Sequence, residues 1–322
     1  MRIIIHGVGA IGGVVGAALV EAGHEVLGIA RGRMLEAIRA RGLTMISPKG
    51  RVTVDLPCVA TPSEITFRPD DVVLLCVKGQ DTEAALTDLR AAGMTDQPLF
   101  CLQNGTANER TALRYFPNVH GVTVMMPATY LEPGEVITHG APCYGLFEIG
   151  RYPQGSDADD VALKEALDKA NIATFVSEAV VAAKYGKLLM NLGNIVDAML
   201  PLDADKPRFT DRLKDEARAV FDAAGVAWRD IGLDDPRRKE FMQITEIDGT
   251  PRSGSSTRQS IARGAGSVET DYLNGEVALL GRLHGQDAPL NARMTELAAR
   301  MIAGGKAAGE MSEDEMEQVF SA

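Results

Sequence analysis

Short, almost uninterrupted apolar runs recur through the first half of the chain, separated by segments of helical spacing. Arg2-Ile-Ile-Ile-His6 is rich in β-branched residues and predicts a buried strand. A glycine-rich turn and a small-residue helix through Ala22 follow; Gly23 stops that helix, and residues 24–30 predict a second strand. Residues 71–77 are nearly continuous apolar sequence, as in a strand covered on both faces, and end in Lys78-Gly79-Gln80. A helical segment then runs to Ala92. Residues 99–102 end in Gln103-Asn104-Gly105, before a helix to Tyr115. Residues 120–126, 136–138, 144–149 and 172–176 are further strand candidates, and 157–170 predict a helix. Strands alternating with helices imply a parallel α/β sheet.

The alternation stops after residue 176. From about residue 178 to 200 apolar residues recur at helical spacing, with Lys187, Asn191 and Asn194 among them. On a continuous helix Asn191 lies about 40° from Lys187, and Asn194 about 20° to its other side. Three polar groups then share one narrow face, which either meets solvent or lines a cleft. Residues 212–224, 268–283 and 292–301 also suit helices. Residues 248–256 form a turn-rich linker leading to Thr257-Arg-Gln-Ser260, and Glu269 and Asp271 stand at a helix start, where negative charge is favoured. The expected division is an α/β domain over 1–177 and an all-α domain over 178–322.

Between the first strand and first helix lies Gly7-Val8-Gly9-Ala10-Ile11-Gly12. In a Rossmann dinucleotide-binding unit the first glycine permits the tight turn, the second lets backbone approach a pyrophosphate, and the third lets helix and strand pack closely. The N–H groups and positive end of the helix then receive the anion. At the end of the second strand, where an NAD site usually has an acid for the ribose hydroxyls, stands Arg31, with Arg33 close behind. A guanidinium fork suits a 2′-phosphate, so the expected cofactor is NADP(H). Lys78 and Asn104 follow strand ends, where open α/β sheets bind ligands.

Composition narrows the partners. Of 322 residues 45% are apolar and 24% charged, which excludes wholesale disorder. Thirty-three basic against 44 acidic residues give −11, which argues against a nucleic-acid partner while leaving room for one local basic pocket. Four scattered cysteines read as reduced, mostly buried thiols, and five histidines without ligand spacing give no expectation of a metal site. No apolar segment reaches the roughly 20 residues needed to span a bilayer, so no membrane partner and a cytoplasmic location are expected.

The chain resembles the ketopantoate reductase (2-dehydropantoate 2-reductase) family over nearly its whole length. The resemblance is carried by Gly7-x-Gly9-x-x-Gly12, Val77-Lys78-x-Gln80, Gln103-Asn104-Gly105, Lys187-Leu-Leu-Met-Asn191, Ser255-Ser256-x-x-Gln259 and Glu269-x-Asp271-Tyr272-x-Asn274-Gly275. It implies a Rossmann domain followed by an all-α domain, and reduction of a small-molecule 2-oxo acid by NADPH in the cleft between them. By resemblance Lys187 is the general acid, Asn104 meets both nicotinamide and substrate, and Asn191, Asn194 and Ser256 orient substrate. Glu269 holds the cofactor ribose or the active-site network, and Arg31, Lys78 and Ala128 assist cofactor binding. A homodimer is implied in the same way. The pattern departs at Ile195, where the family has a second asparagine, and near Asp205, where it has a further one. These departures lie in the expected substrate shell and leave a different oxo or hydroxy substrate as the alternative. A non-catalytic NADPH sensor is the third reading, disfavoured because a sensor has no use for a proton donor at Lys187.

Overall fold

The computed structural model describes the chain except residues 131, 251–253, 265, 306 and 322. Part of the predicted 248–256 linker therefore lies outside the described residues. The chain divides into two compact units, one comprising 1–103, 107–184 and 233–251, the other 104–106, 185–232 and 252–322.

The first unit is built on an eight-stranded sheet. Its order is Ile172–Val176, Gly145–Arg151, Val119–Met125, Leu99–Cys101, Asp71–Leu75, Arg2–His6, Glu25–Ile29 and Cys58–Val59. All neighbours run parallel except Gly145–Arg151 against Val119–Met125. The continuous apolar runs are explained by burial of both faces. Ile3 and Ile5 join one core with Val14, Val15 and Leu19 of the helix Ala10–Glu21, while Ile4 joins another with Leu86 and Leu89 of Thr82–Ala91. Arg2 donates from Nε and Nη2 to the buried Asp71 carboxylate, each at 2.7 Å, pinning the amino ends of the two central strands.

Several elements carry no clear sequence signal. A hairpin, Leu43–Ser47 with Gly50–Val54, pairs with Glu135–Thr138 in a separate four-stranded sheet. That sheet reaches the first helix at Gly13, where a Cβ would stand 2.5 Å from Val136 Cγ1. Met242–Ile244, in the otherwise helical half, pairs antiparallel with Gly140–Pro142.

The second unit is helical. Its core joins Leu188, Leu192, Ile195 and Met199 to Phe209, Leu213 and Phe221 of the helix Pro207–Ala224, and to Met294 and Leu297 of Pro289–Gly304. The helix expected over 178–200 is interrupted: it runs Val180–Asn191, turns at Leu192 and Gly193, and resumes as Asn194–Met199. The Asn274 amide donates to the Leu192 carbonyl at 3.2 Å, and a Cβ on Gly193 would meet Thr210 Cγ2 at 2.7 Å. A partner across the core thus satisfies backbone at the break, and glycine supplies the clearance. The segment expected as one helix over 268–283 is likewise a 3-10 turn, Glu269–Tyr272, followed by Asn274–His284.

Candidate active site

The glycine loop is shaped by what cannot fit there. Gly7 has φ +108°, and a Cβ on it would stand 2.9 Å from Val77 N. A Cβ on Gly12 would stand 2.2 Å from the Gly7 carbonyl oxygen. Gly9 differs: a Cβ there would meet nothing within 4 Å, so this side of the loop is open to an approaching ligand. Gly9 is also the N-cap of Ala10–Glu21, a helix with no side-chain cap bond and no acid in its first turn. Val8 is buried while Ala10 and Ile11 are half-buried. A helix start with neither acid nor side-chain cap suits an anion.

Below this loop, His6 ends the first strand between Ile29 and Leu75. It is 2% exposed, and neither ring nitrogen has a hydrogen-bond partner among the described residues. Burial, and secondarily the charge of Arg31, push its imidazole down to about 4, so the ring is neutral near pH 7. The sequence reading passed over His6; a polar residue closing an apolar strand was its only signal.

Arg31 ends the neighbouring strand, exposed, with Nη2 3.7 Å from an exposed Asp88 carboxylate. Such a pair holds a guanidinium weakly. Lys78 follows the strand Asp71–Leu75 at the N-cap of the turn Gly79–Asp81, and the half-buried Ala128 follows Val119–Met125. The glycine loop, Arg31, Lys78 and Ala128 therefore all lie at the carboxyl ends of strands in the first unit.

The turn Gln103-Asn104-Gly105 is held by its neighbours. Gln103 Nε2 donates to the Val77 carbonyl and to Thr82 Oγ1, both at 2.8 Å, and Thr82 Oγ1 donates to Asn108 Oδ1 at 2.9 Å. Gly105 has φ +83°, and a Cβ on it would stand 2.9 Å from the Tyr272 carbonyl. The turn thus abuts the segment carrying Glu269, whose carboxyl-bearing residue is 7% exposed.

Lys187 and Asn191 share the helix Val180–Asn191, one turn apart. Lys187 is half-buried. Asn191 is 6% exposed, and its Nδ2 has no partner among the described residues. Between Asn191 and Asn194 the helix is interrupted at Leu192 and Gly193. Asn194 is linked to Ser256 by a long hydrogen bond, Nδ2 to Oγ at 3.5 Å. Ile195 is buried in the helical core and presents nothing polar. Asp205 is exposed, its backbone N–H donating to Glu313 at 3.3 Å, so it does not join Asn191, Asn194 or Ser256.

The acid beside these groups is Asp197, which sequence reasoning missed. Its Oδ2 accepts from Ser255 N at 2.8 Å and its Oδ1 from Lys206 Nζ at 2.9 Å. Burial pushes this carboxyl up, but the hydrogen bonds from Lys206 and Ser255 outweigh it and hold the group below its usual value. Ser255 Oγ donates to the Asn194 carbonyl at 3.0 Å, and the Arg258 guanidinium takes the carbonyls of Asp197 and Leu200. An Asp three residues beyond Asn194 has no marker in sequence for this role, because Ser255 and Arg258 lie about 60 residues away. Among the described residues, His120, Asp157 and Asp159 also place possible metal-ligand atoms within 4.8 Å of one another. The His120 ring is already engaged by Asp160 at 2.8 Å and Asn118 at 3.0 Å.

The family model of ketopantoate reductase PanE/ApbA matches residues 3–154, and that of its C-terminal domain residues 179–301. A 2-dehydropantoate 2-reductase of Pyrococcus horikoshii is 30% identical over 293 residues, covering 90% of this chain and 94% of that protein. The chain belongs to the ketopantoate reductase family. It is accordingly an oxidoreductase acting on a CH–OH group, with a dinucleotide-binding Rossmann domain and a helical C-terminal domain. The crystal structure of a PanE/ApbA family ketopantoate reductase from Ralstonia eutropha JMP134 superposes with a TM-score of 0.79 at 29% identity, covering 95% of this chain and 99% of that one. A D-mandelate dehydrogenase solved with NADH and anilino(oxo)acetate shares the fold at a TM-score of 0.79 and 23% identity, over 95% of this chain and 99% of its own. Among the described residues, no helix is long and apolar enough to cross a membrane.

Proposed function

We propose that this chain reduces a 2-oxo acid, ketopantoate foremost, with NADPH, and that Lys187 is the general acid. The observation that carries this reading is the helix Val180–Asn191, which bears the half-buried Lys187 and, one turn on, a buried amide donor without a partner among the described residues. A cation beside a free donor suits a carbonyl oxygen that gains negative charge and a neighbouring carboxylate.

The first unit fits a phosphorylated dinucleotide. Gly9 is open, Gly7 and Gly12 tolerate no side chain, the helix start lacks an acid, and His6 holds unpartnered ring nitrogens below the loop. Residues 7–12 would receive the pyrophosphate and Arg31 the 2′-phosphate, with Lys78, Ala128, Asn104 and Glu269 as further contacts. When bound, NADPH supplies the hydride for the carbonyl carbon. Lys187 hydrogen-bonds the carbonyl oxygen, stabilises its growing charge and gives up a proton to it, leaving a neutral amine. Asn104 orients the reacting carbonyl, while Asn191, Asn194 and Ser256 hold the carboxylate and remaining polar groups of the substrate. In a protein of net charge −11, the local cation also offsets repulsion of an anionic substrate.

The same chemistry on a different 2-oxo acid is the second reading, favoured by Ile195, which withdraws one polar group from the substrate shell. The test is NADPH oxidation with ketopantoate beside a panel of other 2-oxo acids, with NADH as control. Turnover of ketopantoate with NADPH is the expected result. Tight NADPH binding with turnover of another acid alone would transfer the assignment to that substrate, and no turnover of any 2-oxo acid would sink the reaction proposed.

A further inference from the structure

One charged pair in the first unit has no part in the chemistry above. Lys184 Nζ stands 2.6 Å from Glu109 Oε1, the two side chains being 3% and 1% exposed. The same ammonium donates to the Gln103 carbonyl at 3.0 Å and to the Val122 carbonyl at 3.3 Å. Gly121 makes the room: a Cβ there would lie 3.4 Å from Lys184 Cδ and 3.2 Å from Val180 Cγ1. Burying two charges costs several kcal/mol each in desolvation, and an apolar pair of similar volume is often as stable, so stability does not explain the arrangement.

We infer that Lys184, with Glu109 as its counter-charge, is the positioning residue for Asn104. A peptide unit is planar, so holding the Gln103 carbonyl also sets the direction of the Asn104 N–H and the path of the chain into Asn104. The Gln103 side chain is meanwhile fixed on the Val77 carbonyl and Thr82, so backbone and side chain of one residue are anchored independently. Lys184 also precedes Lys187 by about one helical turn, or roughly 4.5 Å of rise. The helix that carries the proposed acid therefore fixes, three residues earlier, the turn that carries its proposed partner. Glu109 supplies the opposite charge at 2.6 Å; without it, two carbonyls alone would have to hold a buried cation.

The inference rests on the proposed reduction only for its kinetic readout. The test compares the parent protein with the double variant Lys184→Met, Glu109→Gln. The single Lys184→Met variant would leave a buried carboxyl unpaired and confuse folding with function. The double variant is expected to lose roughly 10- to 100-fold in kcat, the scale for a misplaced reacting group, with KM for NADPH within about twofold. The primary isotope effect on kcat with deuterated NADPH should rise, because a badly aligned hydride transfer becomes more rate-limiting; a smaller active fraction would leave it unchanged. Amide exchange over 103–106 should quicken about tenfold while the strand Val119–Met125 keeps its protection. Parent-like turnover, an unchanged isotope effect, or exchange that quickens equally throughout the first unit would each overturn the assignment. If the parent binds NADPH yet reduces no 2-oxo acid, the proposed reaction fails, and exchange over 103–106 alone decides the role of the pair.

Discussion

Two alanine substitutions three residues apart in sequence separate the structural from the ligand-binding role of the glycine loop. In Gly12→Ala the new Cβ falls 2.2 Å from the Gly7 carbonyl oxygen and 3.0 Å from both Cys76 Cβ and Ile5 Cγ2. A carbon and an oxygen need roughly 3.3 Å, so backbone must move by about 1 Å, an overpacking cost of about 1–3 kcal/mol. For a unit of this size that corresponds to a fall of about 2–12 °C in Tm. In Gly9→Ala the Cβ meets nothing within 4 Å, and the helix loses at most about 1 kcal/mol of N-cap preference. That methyl instead stands on the open side of the loop, where it holds a pyrophosphate away from the helix start. Losing one charge-assisted hydrogen bond worth about 1.5–3 kcal/mol weakens NADPH binding roughly 10- to 150-fold. Thermal unfolding without ligand and NADPH fluorescence titration read the two effects separately. Parent-like NADPH affinity in Gly9→Ala, or a Tm loss equal to that of Gly12→Ala, would refute the assignment of the open side to the cofactor.

Further outcomes follow from individual side chains. Lys187→Ala should lower kcat by about 10²- to 10⁴-fold while NADPH affinity, by titration, stays within about twofold; a parent-like rate would remove Lys187 as the acid. Arg31→Ala should raise KM for NADPH roughly tenfold and leave KM for NADH nearly unchanged, since the guanidinium is assigned to the 2′-phosphate alone; an equal effect on both cofactors would contradict that. For His6 the folded state binds its proton only near pH 4, whereas the unfolded chain binds it near 6.5. Its contribution is therefore intact above pH 6.5 and lost as pH falls toward 4, by about 3 kcal/mol over that window. Denaturant unfolding at pH 7 and pH 4.5 should show His6→Leu losing less stability than the parent on acidification; parallel losses would mean that His6 is not the titrating group.

The strands of the main sheet were legible because burial on both faces writes them as continuous apolar runs, and the glycine loop because Gly7 and Gly12 leave no room for a side chain while Gly9 stands on the open side of the loop. The shared helix of Lys187 and Asn191 was legible for a related reason: a spacing of four survives intact on one uninterrupted helix. Asn194 shows the limit. Its expected angle assumed helix through Leu192 and Gly193, and the residue that takes the Leu192 carbonyl, Asn274, is 82 positions away. The hairpin Leu43–Ser47 with Gly50–Val54 was missed because Arg51 and Thr53 on its outer strand are exposed and interrupt the apolar signal. Asp205 looked like an intruder in the substrate shell, yet its neighbourhood is set by Glu313 and solvent. Asp197 was silent in sequence because nothing local distinguishes an acid that caps a distant serine from one that faces water.

The long-range contacts that sequence could not show have a common form. Lys184 takes the carbonyl of Gln103, Asn274 that of Leu192, Arg258 those of Asp197 and Leu200, and Asp197 the N–H of Ser255. In every case a side chain from a distant segment saturates backbone within one to six residues of a proposed substrate contact. Turns and helix breaks leave such backbone groups without the partners a continuous element would provide, and buried groups of that kind are costly unless bonded. Using charged or amide side chains for the purpose does more than offset the cost, because each fixes a direction as well as a bond. The proposed substrate contacts Asn104, Asn191, Asn194 and Ser256 therefore sit on segments held by such bonds, and Asn191 Nδ2, on the helix of the proposed acid, has no hydrogen-bond partner among the described residues. A site that satisfies its own backbone and leaves one donor beside a cation is preorganised for an anion with a reducible carbonyl.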